Sequence, residues 1–272
     1  EVLEFWNYWD DLPKDLIERP KYSKLIDEYK NTNEIIVFEG IRRSGKSTLM
    51  SLEIKKLIEN GVEPKNILFV NFEDPMFYNN LNIELLDKIY ETYLEYLNPK
   101  DKIYLFLDEV QNIQAWEKWV LKFYERRKDI QIFIAGSSSK LLSSEFSTAL
   151  SGRHLKIKVY PLDFKEFLKF NNVELSNKRD LVKNKVLIKR NFGKYLKYGG
   201  FPKINFIENK KNKKIELIEY FDTIILKDIS KRHNVDLDEI RKVAFYLISN
   251  NSKLYSVNSL KKMNFGFFGT IN

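Results

Sequence analysis

Four short apolar runs constrain this chain more than any other feature: Ile35–Phe38, Ile67–Phe72, Ile103–Leu107 and Ile130–Ala135. Each is apolar almost throughout and rich in β-branched or aromatic residues. That is how a strand buried on both faces of a parallel sheet reads. Helical periodicity fills the gaps, over Ser47–Glu59, Ile83–Leu97 and Trp116–Arg127. In the last of these, Trp116, Trp119, Val120 and Phe123 fall at i, i+3, i+4 and i+7, a stripe suited to packing against a sheet. Strand and helix in this alternation predict an α/β, doubly wound parallel sheet. His154–Tyr160 reads as a fifth strand. With 272 residues, 43% of them apolar, the chain has material for a full core.

Other classes are excluded early. There is no run of 18 apolar residues, so no membrane-spanning helix is expected. Residues 1–10 lack the basic and apolar regions of a signal peptide. Cysteine is absent, which removes disulfides and thiolate metal sites and fits a cytoplasmic setting. The two histidines, His154 and His233, are far apart in sequence, which argues against a histidine metal site.

The first apolar run leads directly into Gly40-Ile41-Arg42-Arg43-Ser44-Gly45-Lys46-Ser47, a complete G-x-x-x-x-G-K-S loop between a strand and a helix. Such a loop wraps a phosphate with its backbone N–H groups, and side chains in place of the glycines would block that approach. The following helix adds the partial positive charge of its N-terminus. Lys46 is placed to reach the β- and γ-phosphates and Ser47 to offer a hydroxyl to Mg²⁺. Gly40, Arg42, Arg43, Ser44, Gly45, Lys46, Ser47 and Thr48 are therefore the candidate nucleotide-binding residues here, with Arg42 and Arg43 facing phosphate, an acid such as Glu73 or Asp74, or solvent.

The third run ends in Asp108-Glu109. A parallel sheet delivers both carboxylates to its C-terminal edge, beside the loop. Asp108 is the expected Mg²⁺ ligand and Glu109 the expected base for an attacking water. The fourth run ends in Ala135-Gly136-Ser137-Ser138-Ser139, where Ser137 or Ser138 serves either to touch the γ-phosphate or to cap a helix. Arg153, in Leu150-Ser151-Gly152-Arg153, is a candidate for stabilising transition-state charge, on this chain's own nucleotide or on a neighbour's.

Taken together these segments resemble the prokaryotic AAA-type P-loop ATPases of archaea and bacteria that carry a C-terminal domain of unknown function. The resemblance rests on Gly-x-Arg-Arg-x-Gly-Lys-Ser, Leu-Asp-Glu-Val-Gln-Asn-Ile, Gly-Ser-Ser-Ser-Lys-Leu-Leu, Leu-Ser-Gly-Arg, Tyr-Pro-Leu-Asp-Phe-Lys-Glu-Phe and Tyr-Gly-Gly-Phe-Pro, in that order, between about Glu34 and Ile229. It implies a central sheet of order 5-1-4-3-2, Glu109 as catalytic base, Ser137 or Ser138 as polar sensor, Arg153 as arginine finger, and ATP with Mg²⁺ as cofactors. A helical lid and a winged-helix segment follow in such proteins. The expected division is an N-terminal helical extension over 1–33, the ATPase core over 34–163, the lid over 164–231 and the start of a winged helix over 232–272, incomplete at Asn272. Within the last, Asp236 opens a helix with Glu239 in capping-box position and Ile240, Val243, Ala244, Leu247 and Ile248 as its apolar stripe, and a second short helix is expected from Ser256 to Asn264.

Charge is concentrated in the expected lid. Lys169–Lys214 carries fourteen basic residues against three acids, while the whole chain is +8. This reads either as a solvated helical face or as a surface for nucleic acid or phosphate. Three functions follow: an ATP-driven switch acting as a homo-oligomer or on a protein partner, a nucleotide-gated DNA-associated regulator with little turnover, and a small-molecule kinase. The Asp-Glu pair followed by Gln111 fits the first better than the third.

Overall fold

The computed structural model describes residues 2–137, 149–225, 229, 236–254, 256, 258 and 260. Five strands form one parallel sheet: β1 (Ile35–Gly40), β2 (Ile67–Asn71), β3 (Ile103–Asp108), β4 (Ile130–Ser137) and β5 (His154–Lys158). Their spatial order is β2-β3-β4-β1-β5, the 5-1-4-3-2 order implied by the resemblance. All four pairings are parallel. Between the strands run α3 (Lys46–Glu59), α4 (Ile83–Leu97) and α5 (Trp116–Arg126), preceded by α1 (Val2–Trp6) and α2 (Pro20–Lys30).

The two-sided burial expected of the strands is met by two separate cores. Ile35 and Val37, with Leu105, Leu107, Ile132 and Ile134, face the layer of α4 and α5. Ile36 and Phe38, with Phe106 and Phe133, face the layer of α2 and α3. Alternate residues of each strand thus serve opposite faces, which is why the runs are apolar at nearly every position. Phe38, Phe133 and Phe106 form a run of near-parallel rings across three neighbouring strands. The tryptophan stripe of α5 packs as its spacing predicts, with Trp116, Trp119, Val120 and Phe123 all buried.

The segment after α1 lies along the outer edge of β2. Asn7 accepts from Phe69 N at 2.6 Å and donates to Phe69 O at 2.9 Å. Trp9 Nε1 donates to Ile67 O at 2.9 Å, and Trp6 Nε1 to Asp74 Oδ2 at 2.6 Å.

After β5 the chain becomes helical: α6 (Phe164–Phe170), α7 (Lys178–Lys183), α8 (Lys185–Tyr198) and α9 (Pro202–Phe206). Asp163 and Glu166 close a reciprocal capping box on α6. The Gly199–Pro202 turn returns to the end of the sheet, where Leu162 N donates to Gly200 O at 2.7 Å. A Cβ on Gly200 would stand 2.1 Å from Leu162 O, so only glycine permits this approach.

Two compact units result, Glu1–Phe206 and Ile207–Asn272, and the division falls inside the span 164–231 expected to be the lid. In the second unit, α10 (Lys210–Thr223) and α11 (Leu237–Ser249) meet through the Phe221–Phe245 ring contact and an Arg241–Asp222 ion pair of 2.9 Å. Asp236 caps α11, accepting from Asp238 N and Glu239 N. Of the apolar stripe expected on this helix, Ile240 is buried and Ile248 is exposed. The second short helix expected from Ser256 lies mostly outside the described residues.

Candidate functional site

The G-x-x-x-x-G-K-S loop leaves the sheet at Gly40. A Cβ there would stand 2.2 Å from Val159 O, so the glycine allows β1 to run close against the chain leaving β5. Two residues of the loop, Arg43 at φ 66° and Gly45 at φ +99°, adopt left-handed backbone and curl it around a centre. Gly45 is the N-cap of the 14-residue α3 and supplies no capping side chain, so the first N–H groups of that helix are not capped by it. Aligned with the helix dipole, they form an anion site. Lys46 is 5% exposed, and its Nζ donates to Gly40 O at 3.1 Å and Ile41 O at 3.2 Å, directly over the loop. Ser44 is fully buried, while Arg43, Ser47 and Thr48 are exposed.

The acids meet the loop through strand register. Asp108 is opposite Asn71 on one side and Ala135 on the other, and Gly40 is opposite Ser137. The ends of β1 and β4 are therefore level, and β3 ends two residues short of them at the same edge. Asp108 is 1% exposed, and the Ser47 hydroxyl is near enough to draw its carboxyl downward. Burial, and then the charge of Glu109, push its carboxyl up to about 7, against the opposing pull of Ser47 and Lys46. Its Oδ1 is buried without a hydrogen-bond partner. A buried carboxylate oxygen with spare acceptor capacity, next to a serine hydroxyl, is the donor set of a hard divalent cation, and Mg²⁺ fits it.

Glu109 also takes left-handed backbone, at φ 53°, with its N–H donating to Ala135 O at 2.8 Å. A non-glycine residue held there costs about 1–2 kcal/mol, a strain typical of sites where a side chain must point one way. The carboxylate accepts from Gln111 Nε2 and lies 3.9 Å from Lys46 Nζ and 4.0 Å from Arg42 Nη2. Arg42 in turn pairs with Glu73 at 2.6 Å. Of the two acids proposed for Arg42 from sequence, Glu73 is the one it contacts. Asp74 is engaged instead by Trp6 and by Met76 N, as the N-cap of the 3-10 turn Pro75–Asn80.

The structure brings together Gly40, Arg42, Ser44, Gly45, Lys46, Ser47, Asp108, Glu109 and Ser137. Ser137 ends β4 at the same sheet edge, 1% exposed. Ser138 lies outside the described residues. Arg153 is not brought in. It precedes β5, whose His154 is level with Ile35 at the start of β1. From there to Gly40 is five strand steps, roughly 17 Å at about 3.3 Å each. Arg153 pairs instead with Glu125 at 3.3 Å. An arginine at that end of the sheet does not reach the loop of its own chain, and here it stands in an ion pair at the surface.

One buried residue at this site carries no sequence signal. Arg19 sits in a polar stretch before Pro20, where an arginine ordinarily faces water. It is 3% exposed and donates to Ser44 O inside the loop at 3.1 Å.

Comparison with known proteins finds similarity over most of the chain. The model of the AAA domain family matches residues 32–168, and that of a domain of unknown function, DUF8612, matches residues 189–266. An uncharacterized protein of Methanocaldococcus jannaschii is 34% identical over 237 residues, which are 85% of this chain and 51% of that protein. An uncharacterized protein of Haemophilus influenzae is 32% identical over 250 residues, 92% of this chain and 60% of that protein. The chain thus spans only 51% to 60% of the length of these relatives. Among solved structures, AMPPCP-bound DnaA from Aquifex aeolicus is similar at 19% identity and a TM-score of 0.40, over 96% of this chain and 93% of that one.

Proposed function

The chain belongs to the AAA domain family, and we propose that it binds ATP with Mg²⁺ and hydrolyses it to drive a conformational switch. One observation carries this reading: a glycine-turned phosphate loop, Lys46 over it, and the Ser47–Asp108–Glu109 group beside it all lie on one edge of the sheet.

In this reading the loop N–H groups from Ser44 to Thr48 surround the β-phosphate, and the Lys46 ammonium moves from two carbonyls onto phosphate oxygens. Arg42 and Arg43 add positive charge at the mouth of the loop. Ser47 and Asp108 would hold Mg²⁺, which neutralises phosphate charge when bound. Glu109 takes the proton of the attacking water, with Gln111 and Arg42 fixing the direction of its carboxylate. Ser137 or Ser138 senses the γ-phosphate, and Arg153 completes the site of the next copy in a homo-oligomer.

ATP turnover in wild type, Lys46→Ala and Glu109→Gln tests the proposal. Turnover is expected in wild type alone, with Glu109→Gln still binding nucleotide. Equal turnover in all three would refute it.

The basic segment supports a second reading, a nucleotide-gated regulator on DNA with little intrinsic turnover. Lys178, Lys185, Lys189, Arg190, Lys194 and Lys197 are all exposed on α7 and α8. The winged-helix start expected over 232–272 belongs to this reading. Affinity for duplex DNA that falls steeply with salt would favour it, since phosphate contacts release counterions. Affinity that is absent or flat with salt would remove it.

A further inference from the structure

Arg19 stands outside every motif, yet its side chain is among the most deeply buried charges in the fold. A guanidinium at that depth is tolerable only if its donors are used. Nε donates to Glu166 Oε1 at 2.8 Å and Nη2 to Glu166 Oε2 at 2.9 Å, a two-pronged pair. Nη2 also donates to Tyr160 O at 2.9 Å, and Nη1 to Ser44 O at 3.1 Å. The guanidinium lies 4.4 Å from the centre of the Tyr22 ring, and the Tyr22 hydroxyl accepts from Tyr160 N at 3.1 Å.

The bond to Ser44 matters most. The Ser44 carbonyl and the Gly45 N–H belong to one planar trans peptide, so they point in opposite directions. Holding the carbonyl outward, against a cation, aims the Gly45 N–H inward, to the concave side of the loop. Left to itself this peptide would flip easily, because the residue after it is a glycine that accepts either sign of φ. Arg19 and Pro202 also line the outer side of this glycine: a Cβ on Gly45 would stand 3.6 Å from Arg19 Nη1 and 3.7 Å from Pro202 Cγ, ordinary contact distances. Glu166 holds the other end of Arg19 and is itself fixed in the capping box that opens α6.

We propose that Arg19 is a positioning residue for the phosphate-binding loop: it locks the Ser44–Gly45 peptide with its N–H facing the nucleotide, and Glu166 locks Arg19. The proposal rests on the nucleotide-binding reading above. A lysine in its place keeps the charge but lacks the fork that spans Glu166, Tyr160 and Ser44 together.

The test is binding of a fluorescent N-methylanthraniloyl ATP with Mg²⁺ to the full chain, in wild type, Arg19→Lys, Glu166→Gln and Lys46→Ala. Circular dichroism is the check of folding. Arg19→Lys is expected to fold and to bind on the order of tenfold more weakly. In turnover its KM rises while kcat changes little. The ¹⁵N chemical shift of the Gly45 amide moves too, because it reports hydrogen bonding at the preceding carbonyl. Glu166→Gln shifts the same two readouts in the same direction by less. A folded Arg19→Lys with wild-type affinity and an unmoved Gly45 signal overturns the proposal and leaves Arg19 a tie between elements. Should Arg19→Lys not fold, Glu166→Gln decides by the same readouts, since it keeps the side chain's shape. Wild-type affinity in Lys46→Ala would instead defeat the nucleotide-binding reading itself, whatever Arg19 does.

Discussion

Asp108→Asn removes one charge from the site with almost no change of shape, and its effect can be worked out from the structure. The folded protein raises the carboxyl from 3.8 to about 7. Three units at about 1.4 kcal/mol each make roughly 4 kcal/mol, the upper bound on what this charge costs the fold. The sign follows from linkage. An acid whose folded pKa is raised contributes its full stability below the unfolded pKa, near 4, and loses it as pH climbs through about 7. At pH 8, without nucleotide or Mg²⁺, wild type bears the whole cost and the amide bears none. Urea unfolding in a chelator should therefore find Asp108→Asn more stable by about 2–4 kcal/mol at pH 8. The gap should close toward pH 4. The same variant should lose Mg²⁺-dependent turnover, so stability and activity move in opposite directions. A variant no more stable than wild type at pH 8, or a gap equal at both pH values, would show that the buried charge is not the source of the cost.

Three further outcomes are expected. Gly40→Ala must push β1 away from Val159 O, costing about 1–3 kcal/mol in urea unfolding and weakening nucleotide binding with it; a neutral result would mean the strands part without strain. Arg153→Ala should leave nucleotide affinity unchanged and lower turnover only at protein concentrations where copies associate, read by following activity against dilution. Reduced affinity in the dilute, single-chain state would return Arg153 to its own site. Asn7→Ala leaves both polar groups of Phe69 short of a partner and should cost about 1–3 kcal/mol by thermal or urea melting; a loss below half that would mean water reaches the β2 edge freely.

Much of this architecture was legible because the strands are buried on both sides. Ile35–Phe38 is uniformly apolar for the physical reason that Ile35 and Val37 enter one core while Ile36 and Phe38 enter the other. Once the strands are parallel, their C-terminal ends share an edge, and this is why Asp108, Glu109 and Ser137 were readable as partners of a loop some 60 to 90 positions away in the chain. What escaped depends on information that no local pattern holds. Arg153 follows a glycine and precedes a strand, which looks like a site; only the level pairing of His154 with Ile35 shows that it lies at the other end of the sheet. Arg19 precedes a proline in a polar stretch, which looks like surface. Its burial is created by Glu166, nearly 150 residues later, and by a carbonyl, which sequence does not display. The Gly-Gly-Phe-Pro turn was recognisable as a turn, but its landing place on Leu162 was not.

The Asn7 contact with Phe69 has a consequence for how the sheet ends. β2 is an outermost strand, and a bare outer strand invites another chain to add to it. Asn7 satisfies the N–H and C=O of Phe69 as a neighbouring strand would, but with a side-chain amide. A real strand would have turned a fresh row of donors and acceptors outward, ready for the next one. A side-chain amide has no such second row. The growth of the sheet therefore terminates chemically at this residue, and a strand from another molecule arriving there finds its hydrogen bonds already taken.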